Sequence, residues 1–291
     1  MKKLLALVVA LAAPASAFAI PVTASTAENI TFRDCQTNGD TACDYMLGPV
    51  SGSLYDGAPG AISSSAANTV TGYGSAAGSV SLSGVAGAPV IRGSATSEIG
   101  KRTNSNSVAV QRYTYTGATT TTRTFEGALT YSQLLTGSYG IPAGIHADIG
   151  VFTTPTSTLE VGDTVQSNFD TLFALFDPTQ LGYTSLASQL FADELSSVTN
   201  GTANLSATVT LNPGDAVWVY ALVTTSTVSG GFVDASHTFV TSWNDATDLV
   251  PSAGVTAVPL PSTVSLLVTA LAVFGMLGVA RRYRRQWRVQ L

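Results

Sequence analysis

Thr202-Ala203-Asn204-Leu205-Ser206-Ala207-Thr208-Val209-Thr210-Leu211, then Asn212-Pro213-Gly214-Asp215, then Ala216-Val217-Trp218-Val219-Tyr220-Ala221-Leu222-Val223 is the stretch whose reading decides the fold. Leu205, Ala207, Val209 and Leu211 fall at every second place with polar residues between them. That period of two is the mark of a strand with one buried face. Val217 to Val223 is a run of β-branched and aromatic residues, which suits a second strand. Asn-Pro-Gly-Asp between them is turn chemistry. Two strands joined by a tight four-residue turn predict a β-hairpin. Gly230-Gly231 marks a further turn, and Ala235 to Trp243 reads as a last strand.

The same pattern extends toward the N-terminus. Val108 to Tyr115 alternates, and Thr119 to Tyr131 and Ile149 to Thr154 continue in the same style. Ser51 to Ser107 is rich in Gly, Ala, Ser and Thr, with short alternations such as Val80-Ser81-Leu82-Ser83, which suits flat exposed strands or loops. One segment differs. Phe169, Leu172, Phe173, Leu175 and Phe176, then Leu186, Leu190, Phe191 and Leu195, recur at helical spacing. They predict one or two short helices split near Asp177-Pro178. The expected fold class is therefore mainly β: an antiparallel β-sandwich of jelly-roll type with one or two short helices.

Only 11% of the 291 residues are charged, against about 25% in an average soluble domain. That composition excludes a nucleic-acid binder, a coiled coil and a charged disordered tail. Residues 1–19 have Lys2 and Lys3, then a ten-residue apolar run, then Ala17-Phe18-Ala19. This is a secretory signal peptide with cleavage expected after Ala19. Val264 to Ala280 is seventeen residues without charge, followed by Arg281-Arg282-Tyr283-Arg284-Arg285. A short transmembrane helix with its arginines on the cytoplasmic side follows from this order. The body between the ends, residues 20–257, holds six basic and eighteen acidic residues, a net of −12, and residues 124–257 hold twelve acids with no Lys or Arg. Such a body repels phosphate backbones and anionic lipid.

Val258-Pro259-Leu260-Pro261-Ser262 precedes the apolar segment, and its prolines hold the chain extended where a protease can reach it. Pro-x-Pro, a short apolar helix and a terminal arginine cluster resemble the PEP-CTERM sorting tail, in its VPLPA form, with Ser262 where Ala is usual and Leu260 where the founding form has an acidic residue. The resemblance covers residues 258–291. It implies a Gram-negative exported protein, transiently anchored in the inner membrane, cut by an exosortase-type enzyme and passed to the cell surface or extracellular matrix, often with exopolysaccharide and biofilm. Leu-Asn-Pro-Gly-Asp at 211–215 and Asp234-Ala235-Ser236-His237-Thr238 also look like what such ectodomains carry. A sortase signal is the rival reading of Leu260-Pro261-Ser262-Thr263, but Val264 stands where it needs Gly.

Cys35 and Cys43 flank the turn signal Asn38-Gly39-Asp40, and export favours a disulfide closing that loop. Metal ligation and redox chemistry lack the further Cys or His and the Cys-x-x-Cys spacing they need. No cofactor is implied. The acidic half leaves room for Ca2+ only in a site assembled from distant loops, because Asp163, Asp170 and Asp177 fall seven apart rather than two apart. His146 and His237 are the two histidines, with Asp234 three before His237, and no Gly-x-Ser-x-Gly elbow accompanies them. Asp193 and Glu194 are adjacent carboxylates for the glycosidase reading, though on a helix they would point apart. Trp218, Tyr220 and Trp243 are the aromatics a sugar-binding face would use, unless that face is core. The sequence thus points to a structural or adhesive surface protein, with a carbohydrate-binding module and a secreted hydrolase as the alternatives.

Overall fold

Alternating and β-branched segments become strands through almost the whole body of the chain. The computed structural model describes residues 19–34, 50–135, 143–194, 199–235 and 238–252. The signal segment up to residue 18, the Cys35–Cys43 loop, His237, the sorting motif, the apolar segment 264–280 and the arginine cluster lie outside the described residues. Sixteen strands run in chain order: β1 (Ile20–Val22), β2 (Ala24–Asp34), β3 (Val50–Asp56), β4 (Ser63–Val70), β5 (Gly74–Ser81), β6 (Val90–Ser97), β7 (Lys101–Tyr115), β8 (Thr121–Leu134), β9 (Gly144–Thr153), β10 (Leu159–Val161), β11 (Thr184–Asp193), β12 (Thr199–Leu211), β13 (Ala216–Val228), β14 (Phe232–Asp234), β15 (Phe239–Trp243) and β16 (Leu249–Pro251).

Among the described residues, fourteen of these strands form an antiparallel β-sandwich, and β1 pairs with β10 in a separate two-stranded sheet. Sheet 1 has the order β11-β9-β13-β7-β2-β3, with β16 also on β7. Sheet 2 has the order β12-β8-β14-β6-β5-β4, with β15 filling the same gap between β8 and β6 as β14. The main core lies between the sheets, where Ile149, Val217 and Val219 meet Phe125, Phe239 and Trp243. Trp243 packs edge-on to Tyr113 at 5.7 Å. A second core lies on the outer face of sheet 1, under α1 (Val165–Phe173) and the 3-10 turns that follow it. Thr164 starts α1: its hydroxyl accepts from Ser167 N, and Ser167 Oγ accepts from Thr164 N. This reciprocal cap satisfies two donors that a helix start leaves open. Phe169 and Leu172 then pack over Val108, Val110 and Trp218.

Two expectations are corrected. Asn212-Pro213-Gly214-Asp215 is a turn, with Asp215 N donating to Asn212 O and Gly214 at φ +87°, but it closes no hairpin. β12 pairs with β8 in sheet 2, while β13 pairs with β7 and β9 in sheet 1. The turn is pinned to β7 instead: Gly214 N donates to Tyr115 O, and Tyr115 N donates to Asp215 O. The chain therefore arches from one sheet to the other. The second predicted helix is also absent. Gly182 at φ +76° ends the 3-10 turns, and Thr184–Asp193 is the edge strand β11. A bulge lies between Ser185 and Ala187; beyond it Ala187, Phe191 and Asp193 face inward, while the outward pair Leu186 and Leu190, four apart, mimics helical spacing. Both are exposed.

The edges of sheet 2 are tied to those of sheet 1 by side chains. Asp56 of β3 accepts from Ser65 N of β4 at 2.6 Å, and Gln189 of β11 accepts from Ser206 N of β12 at 2.5 Å.

Inside the sandwich, Glu28 is fully buried and accepts from Ser107 Oγ at 2.6 Å. It fits because Gly78 and Gly93 face each other across β5 and β6. A Cβ on Gly78 would stand 2.2 Å from Glu28 Oε2. Burial raises the Glu28 carboxyl well above its usual range, more than the Ser107 hydrogen bond lowers it. Unfolded, Glu28 loses its proton near a pH of about 4.3, whereas folded it keeps the proton to higher pH. Between those limits the unfolded chain binds fewer protons, so stability falls as pH rises. Urea unfolding across pH should show this decline in the parent and a flatter profile in Glu28→Gln. Gly78→Ala should lose about 1–3 kcal/mol at any pH, as overpacked cores do.

Candidate functional site

The helix layer covers only part of the outer face of sheet 1. Beyond Leu222 and Val108 that face turns polar, and the register lines its residues up in rows. His146, Thr224, Asn106, Asn29 and Tyr55 are cross-strand partners in sequence across β9, β13, β7, β2 and β3. The next row runs Ser226, Asn104, Thr31 and Ser53. The row after that pairs Arg102 with Arg33. These positions share a face with Ala27, Val108 and Leu222, because successive side chains on a strand alternate.

Hydrogen bonds fix this ladder. Asn106 Nδ2 donates to Asn29 Oδ1 at 3.3 Å, and Asn104 Nδ2 to Thr31 Oγ1 at 3.2 Å. Asn104 Oδ1 accepts from Ser226 Oγ at 2.7 Å and from Arg102 Nε at 3.0 Å. Asn29, Thr31 and Ser226 are buried, whereas Arg33, Arg102, Asn104, Asn106 and Thr224 are half-buried. Burial, and then the neighbouring Arg33, pull the Arg102 guanidinium down to about 10, so it remains charged at neutral pH.

At the β9–β11 rim, His146 Nε2 lies 2.8 Å from Glu194 Oε1. Asp148, two residues along β9 on the same face, accepts from the Tyr220 hydroxyl at 3.2 Å. Burial pushes the Asp148 carboxyl up to about 7, against the lowering effect of that hydrogen bond.

The aromatic candidates are corrected. Trp218, Tyr220 and Trp243 are 1%, 1% and 4% exposed, so none offers a ring to a sugar. Trp218 and Tyr220 belong to the core beneath the helix layer, and Trp243 to the core between the sheets. Asp193 and Glu194 do point apart, but from the end of a strand. Asp193 turns inward to accept from the Tyr131 hydroxyl at 2.5 Å, and Glu194 turns outward to His146. Asp163, Asp170 and Asp177 lie before, on and after α1, and among the described residues no three acidic, His or Cys side chains group as a metal site. Ala19, the expected cleavage residue, is exposed and immediately precedes β1, while Ala17 lies outside the described residues. The amide ladder was overlooked in the sequence. Its signal is the unbroken polar run Lys101-Arg102-Thr103-Asn104-Ser105-Asn106-Ser107, polar on both faces of one strand.

No family model matches this chain, and no curated protein matches it. Among solved structures it is similar to a carbohydrate-binding module of the β-sandwich superfamily, at 11% identity over 69% of this chain and 71% of the other, with a TM-score of 0.23. It is also similar to the enzymatically active domain of tailspike protein 4 of bacteriophage CBA120, at 8% identity over 72% of this chain and 21% of that one, with a TM-score of 0.23. Likenesses this distant carry no argument about function.

The Asp148 environment makes its own contribution to pH dependence. In the unfolded chain an aspartate ionises near about pH 3.9, well below its folded value, so stability falls as pH rises through that interval to about 7. Thermal unfolding of Asp148→Asn should lose this part of the decline, and an unchanged pH profile would exclude the assignment.

Proposed function

We propose that this chain is an exported surface or extracellular-matrix protein with a structural or adhesive role in extracellular polysaccharide. The observation that carries the reading is the ladder of amides and hydroxyls across sheet 1. Asn side chains both donate and accept, and hydroxyls do the same, which is the chemistry that matches a polyhydroxyl polymer. The ordered rows also favour the second reading, a carbohydrate-binding module with a defined seat. Trp218, Tyr220 and Trp243 are buried, so in either case the amides and hydroxyls of the ladder are the groups offered for recognition.

The route is read from the two ends of the chain. In this proposal the signal segment is removed after Ala19, the C-terminal helix holds the protein in the inner membrane, and an exosortase-type enzyme cuts near Val258–Ser262. Arg281, Arg282, Arg284 and Arg285 then remain with the discarded tail.

Two measurements test these claims separately. Intact mass spectrometry of the native protein should give a chain beginning at Ile20 and ending near Pro261, and Pro259→Ala with Pro261→Ala should leave the tail attached. An unchanged mature mass in that variant would make the tail a plain anchor. Fractionation should place the mature protein with the extracellular polysaccharide, and its recovery wholly apart from that fraction would overturn the matrix role.

A further inference from the structure

The polar rows of the ladder differ in what their side chains have left to offer. In the row of Ser226, Asn104 and Thr31 the side chains are used on one another: Asn104 donates to Thr31 and accepts from Ser226 and Arg102. The row of His146, Thr224, Asn106, Asn29 and Tyr55 is more open. Asn106 Nδ2 donates to Asn29 Oδ1, but among the described residues no hydrogen bond engages Thr224 Oγ1, Asn106 Oδ1 or the Tyr55 hydroxyl. Thr224, Asn106 and Tyr55 are all half-buried. Asn29 Nδ2 also lacks a partner, although Asn29 is only 4% exposed. A donor left open at such depth marks a place where an outside oxygen can be taken up.

This row runs across the strands. Thr224, Asn106, Asn29 and Tyr55 stand on the adjacent strands β13, β7, β2 and β3, so one residue is presented every 4.8 Å or about that. The step is close to the length of one pyranose ring in an extended glycan. Asn106 and Tyr55 lie two strands apart, at about 10 Å, close to the two-ring repeat of a β-1,4-linked chain, in which every second ring turns the same edge to one side. An α-1,4-linked chain coils and loses the step within a few rings. The anchors are set beforehand: Asn29 holds Asn106, and Phe169 of α1 meets the Tyr55 ring edge-on at 5.8 Å. Groups already in place cost a ligand little ordering. Charges at the two ends oppose each other. Glu194 faces His146 at one end, and at the other Asp170 and Arg33 bear on the Tyr55 hydroxyl with opposite sign. A row balanced in this way suits an uncharged ligand.

We propose that this row binds a neutral, extended β-1,4-linked glycan lying across the strands, with ring hydroxyls on Thr224, Asn106 and the Tyr55 hydroxyl. The assignment rests on the polysaccharide reading above and narrows it to one linkage and one charge class.

The test is calorimetric titration of the purified native protein with cellohexaose and with maltohexaose, which share composition and charge and differ in linkage alone. Cellohexaose should bind saturably, at least about ten-fold more tightly than maltohexaose, and with little dependence on salt. Thr224→Val and Tyr55→Phe each remove one unengaged hydroxyl, and the new Phe side chain keeps the contact with Phe169. Each should weaken cellohexaose binding about two- to ten-fold, the range of one net hydrogen bond, at an unchanged unfolding temperature. Ser226→Ala, in the neighbouring row, should leave the affinity as it is. Equal binding of the two hexaoses, undiminished binding by either hydroxyl variant, an equal loss in Ser226→Ala, or tighter binding of a hexagalacturonate overturns the proposal. Failure of the titration with the protein still recovered in the polysaccharide fraction overturns the row and leaves the broader reading standing. Absence from that fraction overturns the broader reading whatever the titration gives.

Discussion

Burial of β13 on both faces is the constraint from which the rest of the structure follows. Val217, Val219, Ala221 and Val223 point into the core between the sheets, and Trp218, Tyr220 and Leu222 point into the core under α1. A strand in this position has no solvent face, so its sequence is apolar without alternation. It also needs a partner on each side, and β7 and β9 supply them over long registers. At roughly 25 cal/mol per Å2 of apolar surface removed from water, the large rings of Trp218 and Tyr220 make the helix layer an energetic part of the fold. Sheet 1 is thus held from both sides where the helix covers it. The part of its outer face left beyond the helix layer is where polar groups can gather.

The alternation of β12, β8 and β7 was legible, because each lies against a core on at least one face. The connection after Leu211 was not. A Pro-Gly turn sets local backbone angles, and those angles do not say whether the next strand returns beside its predecessor or crosses to the facing sheet. What decided the matter was tertiary: Tyr115 offers its backbone N–H and carbonyl to the turn. β11 misled for a different reason. It is an edge strand with a bulge, so little burial disciplines its pattern, and exposed Leu186 and Leu190 sit where helix periodicity would put them.

Of the candidate site, the residue types were visible and their meeting was not. Asn29, Asn104 and Asn106 are ordinary polar residues in one dimension, and only the registry of β2 with β7 makes them neighbours. Aromatic residues suggest sugar platforms in one dimension, yet the fold places Trp218 and Tyr220 in the core under α1 and Trp243 in the core between the sheets. The carboxylates Asp193 and Glu194 were rightly read as diverging, although strand alternation, not helix geometry, sends them apart.

The side chains that bridge the sandwich at its two borders have a further consequence. Each outermost strand of sheet 2 has one outward-directed backbone N–H occupied, Ser65 by Asp56 and Ser206 by Gln189. β12 itself carries no charge, no proline and no bulge along its length, the qualities that invite a foreign strand to add on. A template with its central donor already taken, and a neighbouring side chain standing in the approach, is a poor seed for cross-β growth. Addition of a second copy edge to edge at these two borders is thereby disfavoured.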